Sequence, residues 1–182
     1  MKIVPDRIRY LYDFYMIYKG NYINYLRHLG VHIGDNCQIL TQAENFGSEP
    51  WLVEISDSVT VCAGVRFITH DAASRLFRES LPDSSIYGNR FGKILIQSNC
   101  FIGVNSLVLP GVTVSPNSVI GSGSVVTKDV PPNTVVAGVP ARIISSLDDY
   151  IKRYKEKMVP IKAQNRMDLR RELTVYFWGE ER

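Results

Sequence analysis

The apolar positions between Ile96 and Val130 recur every six residues. Isoleucine or valine stands at Ile96, Ile102, Val108, Val114, Ile120 and Val126. Four places after each comes a small or β-branched residue: Cys100, Ser106, Val112, Ser118, Ser124 and Val130. A period of six is neither the 3.6 of a helix nor the alternation of a half-buried strand. It predicts a parallel β-helix in which each hexad makes one short strand and one turn, with the aliphatics stacked inward from coil to coil. One hexad cannot bury its apolar face alone, so stability must come from coil packing on coil. Three hexads per coil make a three-sided prism, and this stretch supplies two coils.

The same register is readable at Ile33–Gln38 and more loosely from Ile39 to Glu44. It is lost across Asn45-Phe46-Gly47-Ser48-Glu49-Pro50-Trp51, which reads as a bulge or turn between coils. It returns at Ile55, Val61 and Phe67, with Val59 and Val65 as small partners, and stops at Ile68-Thr69-His70-Asp71. Residues 72–93 contain no hexad. A loop of this length in a compact domain is usually functional or disordered. Its aromatic and aliphatic anchors, among them Leu76 and Phe91, predict an ordered excursion folded over His70. The paired Pro131-Pro132 ends the long block, since neither can donate to a ladder, and Thr134–Pro140 reads as a last strand closed by a turn.

Helical patterns flank the repeat. Residues 8–29 predict two short helices around Gly20-Asn21 that cap one end of the prism; their seven aromatics also admit a reading as a surface that rests on a membrane. Leu147–Met158 and Met167–Trp178 predict two helices sealing the other end. The expected organisation is a helical cap at 1–30, a β-helix at 31–145 with an excursion at 72–93, and a helical extension at 146–182. The fold class is an all-β solenoid flanked by helices.

Charge sharpens the picture at one end only. The net charge is +3. Residues 1–140 hold 11 Lys/Arg and 11 Asp/Glu, whereas residues 141–182 hold 10 and 7, so the surplus is C-terminal. This suits a phosphate-bearing small ligand there and is too weak for nucleic acid. The three cysteines, Cys37, Cys62 and Cys100, have no paired spacing. Cys37 and Cys100 occupy small interior positions, and a chain without a disulfide framework fits a reducing cytoplasm. Neither a signal peptide nor a transmembrane-length apolar run is visible in the sequence.

Of the three histidines, His28 lies in a helical pattern and His32 at the entrance to the repeat. Only His70 stands where the repeat stops and the long loop begins, at a coil corner where a ligand groove can form. A zinc site would need about three converging ligands, and the histidines are far apart in coil order.

Phe67-Ile68-Thr69-His70-Asp71, the hexads, and the run from Gly121 through Thr127-Lys128-Asp129-Val130-Pro131-Pro132 to Ala137-Gly138-Val139-Pro140-Ala141-Arg142 resemble the hexapeptide-repeat acyltransferases over residues 30–145. The similarity is to maltose, galactoside and nodulation-factor acetyltransferases and to O-acetyltransferases of capsule and lipopolysaccharide. The resemblance implies a left-handed β-helix, an exception to right-handed crossovers. It implies a homotrimer with sites between adjacent prisms, and acetyl-CoA lying along a corner. His70 matches the catalytic base, which takes a proton from a sugar hydroxyl. Val104, Ser122 and Thr127 match positions along the pantetheine arm, flanked by Ala137 and Gly138, and make one outer corner a rail for the donor. Lys128 and Arg142 match basic positions near the nucleotide phosphates. Asn45, Asp71 and Arg78 stand on the acceptor side; Asp71 could orient the imidazole, although neighbours on extended backbone point to opposite faces. No metal is expected. The acceptor is a sugar or oligosaccharide of a surface polysaccharide or its precursor. N-acetylation of an amino-sugar nucleotide and a non-catalytic binding module are the alternatives.

Overall fold

The computed structural model describes residues 11, 15–16, 20, 22–76 and 88–179. The chain divides into two compact units, Met1–Asp149 and Tyr150–Arg182. Among the described residues fifteen short strands dominate the first unit, and their pairing shows how the hexads are used.

Three parallel sheets are visited in rotation. The first face stacks β1 (His32–Ile33), β3 (Val53–Ile55), β8 (Ile94–Ile96) and β11 (Thr113–Val114). The second stacks β2 (Gln38–Ile39), β4 (Thr60–Val61), β9 (Phe101–Ile102), β12 (Val119–Ile120) and β14 (Thr134–Ala137). The third stacks β5 (Arg66–Phe67), β10 (Leu107–Val108) and β13 (Val125–Val126). Thr113 pairs with Leu95, Val119 with Phe101 and Val125 with Leu107, each eighteen residues apart, so a coil is three hexads. Every aliphatic of the long block is at most 1% exposed, and every small partner at most 3%. Earlier coils obey the same rule, with Ile55, Val61 and Phe67 buried. The core is therefore a column of identical positions rather than a set of different elements meeting.

The corners explain why the small residue is needed. The residue before it sits at positive φ in Asn36, Asn99, Asn105, Asn117 and Asn133, and glycine does the same at Gly64, Gly111 and Gly123. Only Gly and, less readily, Asn enter this region at little cost. On one corner the asparagines also bond to each other: Asn99 Nδ2 donates to Asn117 Oδ1 at 2.7 Å and Asn117 Nδ2 to Asn133 Oδ1 at 3.0 Å. At the corner between the second and third faces the coils approach closely, because a Cβ on Gly103 would lie 2.5 Å from the Ser122 amide nitrogen.

The two irregular stretches break the eighteen-residue count at one place. Ile33 pairs with Ile55, twenty-two residues on, and Ile55 with Ile96, forty-one on. Both surpluses enter between the third and first faces. The earlier forms two 3₁₀ turns, Ala43–Phe46 and Pro50–Leu52. The later begins with β6 (His70–Asp71) and the 3₁₀ turn Ala73–Leu76, and returns on β7 (Arg90–Phe91), which pairs antiparallel with β6.

The expected last strand is β14, but it is not the end of the sheet. β15 (Arg142–Ser146) folds back antiparallel on it, pairing Ala137 with Arg142 and Thr134 with Ser146. The hexad pattern gave no hint of this strand, since Arg142–Ser146 is exposed on all but one residue and follows no interior period. Helices α1 (Tyr22–His28), α2 (Leu147–Glu156) and α3 (Arg166–Trp178) correspond to three of the expected helical patterns. The expected helix before Gly20 lies mostly outside the described residues. Among the described residues no helix is long and apolar enough to cross a membrane.

Replacing Gly103 with Ala forces backbone apart where the coils approach closely. The expected result is a loss of about 1–3 kcal/mol in denaturant unfolding, and an unfolding midpoint equal to that of the unsubstituted chain would refute the close-approach reading.

Candidate active site

His70 is held from a direction that the sequence did not suggest. Glu49 Oε2 lies 2.9 Å from His70 Nδ1, and the same oxygen accepts from Thr69 Oγ1 at 2.6 Å. Ser48 Oγ stands 3.5 Å from Nδ1. Phe91 packs on the ring with centroids 5.5 Å apart. The histidine side chain is 32% exposed and Glu49 17%. The site is a partly sheltered imidazole with one edge engaged and the other open.

Local sequence explains how the first irregular stretch reaches a histidine in the next coil. Phe46 is fully buried and stacks on Phe67 at 5.0 Å, which pins the first 3₁₀ turn to the column. Gly47, at φ 76°, then passes so near the second coil that a Cβ would sit 2.8 Å from Thr69 Oγ1. Glycine is the residue that permits both the conformation and the approach. Ser48 and Glu49 follow directly, over Thr69 and His70. Burial pushes the Glu49 carboxyl up, but hydrogen bonds from Thr69, His70 and Ser48 outweigh it and hold the carboxyl below its ordinary value. An ionised carboxylate only accepts, so Nδ1 carries the proton and donates to it. Nε2 is left as the basic nitrogen.

Asp71 does not orient the ring. Its Oδ1 accepts from the Ala73 amide at 2.8 Å and starts the 3₁₀ turn, consistent with neighbouring side chains on extended backbone pointing apart. Asn45 is half-buried; its Nδ2 donates to Thr41 Oγ1 at 2.8 Å, and it lines a cavity of about 360 Å³ with Arg66 and Asn105. Arg78 lies outside the described residues.

The residues assigned to the donor fall into two groups. Register carries Val104, Ser122 and Gly138 to one corner on successive coils, between the second and third faces, through Gly123 N to Val104 O (2.8 Å) and Val125 N to Gly138 O (3.0 Å). Ala137 is beside them, with its Cβ 2.8 Å from where a Gly121 Cβ would be. Thr127 is not on this corner. Five residues beyond Ser122 is almost a full hexad, so Thr127 and Lys128 turn the next corner, between the third and first faces, below the point where His70 leaves. The expected rail of Val104, Ser122 and Thr127 is thus split across the third face. Lys128 and Arg142 meet instead, lining a cavity of about 270 Å³ with Asp129 and Ala141.

Burial makes poor nucleophiles of two of the three cysteines. Cys100 is buried beside the Ser115 carbonyl, and burial pushes its thiol up against smaller lowering by backbone hydrogen bonds; burial does the same to Cys62. Cys37, expected inside, is only half-buried, with Sγ 3.0 Å from the Ser56 carbonyl. Among the described residues no three His, Cys, Asp or Glu side chains are grouped to hold a metal ion.

Because the Glu49 carboxyl is held below its ordinary value, the unfolded chain takes up this proton first on acidification. The stability from the contact is complete above the ordinary value of 4.5 and is lost as pH falls through the lower folded value. Thermal unfolding of the natural chain and Glu49→Gln should therefore differ at pH 7 and converge as the pH falls through the lowered folded value. A gap independent of pH would contradict the ionised contact.

Comparison with known proteins agrees with the stacked hexads. Residues 94–128 match the family model described as a hexapeptide repeat of succinyl-transferase. Protein CapG of Staphylococcus aureus is 46% identical over 126 residues, covering 69% of this chain and 71% of that protein. The galactoside O-acetyltransferase of Escherichia coli K12 is 54% identical over 61 residues, a stretch that spans only 30% of that enzyme. A hexapeptide-repeat acetyltransferase of Vibrio cholerae, solved with acetyl coenzyme A, is 26% identical with a TM-score of 0.53, over 71% of this chain and 78% of the other. With the hexads stacked as three parallel faces and CapG matched over more than two thirds of its length, the chain belongs to the hexapeptide-repeat acyltransferase family.

Proposed function

We propose that this protein transfers an acetyl group from acetyl-CoA to a sugar hydroxyl of a bacterial surface polysaccharide or its precursor, with His70 as general base. The observation that carries the reading is the Glu49–His70 contact at the interrupted corner, which leaves Nε2 basic and open. The solved relative with acetyl coenzyme A supports the donor, and the galactoside enzyme supports a sugar acceptor.

Nε2 accepts the hydroxyl proton as the sugar oxygen attacks the thioester carbonyl carbon. A backbone N–H at a coil corner steadies the oxyanion that forms. The C–S bond then breaks, and the imidazolium returns its proton to the departing sulfur. Glu49 fixes the ring and favours its charged state during the step, as a positioning residue. Lys128 and Arg142 supply the positive charge that nucleotide phosphates need. The donor lies along the outer surface between the Val104–Ser122–Gly138 corner and the Lys128–Arg142 cavity. The coil is left-handed, and three copies associate with their sites between neighbouring prisms.

Release of free CoA against a panel of hydroxyl and amino sugars tests the reaction. His70→Ala should lower turnover by about 10²–10⁴-fold with its circular dichroism intact; near-normal turnover would remove the base. Arg142→Ala should raise the KM for acetyl-CoA with little change in kcat, and an unchanged KM would take Arg142 out of the phosphate site. If amino sugars alone are acetylated, the product is an amide and the hydroxyl reading fails.

A further inference from the structure

A second groove begins two residues beyond the carboxylate that holds His70. It has a volume of about 710 Å³ and is lined by Trp51, Arg27, His32, Glu54, Ser56 and Asp57, among others. Trp51 is the middle residue of the 3₁₀ turn Pro50–Leu52 and is 58% exposed, although it sits beside the fully buried start of β3. Its position is built rather than accidental. Gly30, at φ 103°, faces it so closely that a Cβ there would lie 3.1 Å from Trp51 Cβ, and any larger residue would narrow the groove at the indole.

The polar wall is equally ordered. His32 and Glu54 are direct register partners on the outside of β1 and β3, and both are exposed. Arg27 is fixed by its own bonds: Nε and Nη2 donate to the Ile33 carbonyl at 3.0 and 2.8 Å, and Nη2 to the Gly34 carbonyl at 3.0 Å. Nη1 donates to Asn24 Oδ1 at 3.4 Å, and Nη2 also lies 3.8 Å from Asp35 Oδ1, so the cation is engaged by its own surroundings. Against this one cation the wall carries two carboxylates, Glu54 and Asp57. Such a surface disfavours phosphate and nucleotide. It suits a neutral ligand with one apolar face and a hydroxylated edge, which describes a pyranose ring. The C–H face of the ring packs on indole while its hydroxyls bond to carboxylate and imidazole.

We propose that the Trp51 groove is a second carbohydrate subsite, which binds sugar residues of an extended oligosaccharide acceptor remote from the one being acetylated. The link Glu49-Pro50-Trp51 joins the two places, so the groove begins two residues along the chain from the carboxylate that holds His70. This inference rests on the sugar O-acetyltransferase reading and narrows its substrate to polymers or oligomers.

The test compares kcat/KM for monosaccharide and hexasaccharide members of glucose, galactose, N-acetylglucosamine and N-acetylmannosamine ladders, scored by CoA release. In the natural chain the accepted series should favour the hexasaccharide. Trp51→Ala should lower the hexasaccharide-to-monosaccharide ratio about tenfold, a loss matching one stacked ring. Trp51→Phe, which keeps an aromatic face, should restore most of it. In Trp178→Phe protein, where Trp51 is the sole tryptophan, the accepted hexasaccharide should change the emission and its monosaccharide should not. A natural chain indifferent to acceptor length, or a Trp51→Ala variant that keeps the full ratio, overturns the subsite and leaves the transfer reaction standing. Absence of CoA release from every sugar overturns the transfer reading itself, and the subsite with it.

Discussion

Everything in the first unit depends on one constraint: the interior of each coil must repeat, side chain over side chain, every eighteen residues. Apolar side chains contribute their burial only against the same position in the coil above and below. A chain obeying this rule can leave the column only between hexads and must come back in phase. The earlier surplus of four residues and the later one of twenty-three both meet that condition, since Ile33, Ile55 and Ile96 still pair in line. Excursions that leave the column intact are free to carry chemistry, and both of these leave it where Glu49 meets His70.

The proposed division of labour follows from where the column is interrupted. From Ile94 onward no excursion as long as the earlier two leaves the column, and the residues matched to donor binding lie on this stretch, from Val104 to the start of β15 at Arg142. His70, Glu49 and the neighbouring cavities lie on the two coils that contain the interruptions. The Glu49–His70 contact ties one interruption to the other through a charge-assisted hydrogen bond. Phe46 on Phe67 and Gly47 under Thr69 provide the rigid footing for it. His70 is therefore positioned by the core packing of two coils, even though it and Glu49 both belong to irregular segments.

Much of this was readable from the residues. The hexads from Ile96 to Val130 determined the coil length, the interior, and the face on which each residue stands. His70 was singled out by standing where the period fails. Glu49 was not, because a carboxylate in an aperiodic stretch announces no partner, and its nearest candidate, Asp71, was adjacent in sequence. Counting residues between Ile33, Ile55 and Ile96 would have placed both interruptions on one corner and suggested that they meet. Thr127 was misplaced for a related reason: its motif was read as a linear run, although five residues on a hexad coil nearly traverse a face. β15 had no periodic signal at all, since it pairs as an exposed antiparallel strand.

The shared exit corner has a consequence for how such a protein can change. Either excursion can be lengthened, shortened or exchanged while the column keeps its phase, because the cost of closing a longer surface loop grows slowly with length. On the proposed assignment, acceptor recognition and donor recognition are then inherited as separate blocks of coils. A chimera joined in the turn before Ile94 would carry the acceptor choice of one family member and the donor machinery of another.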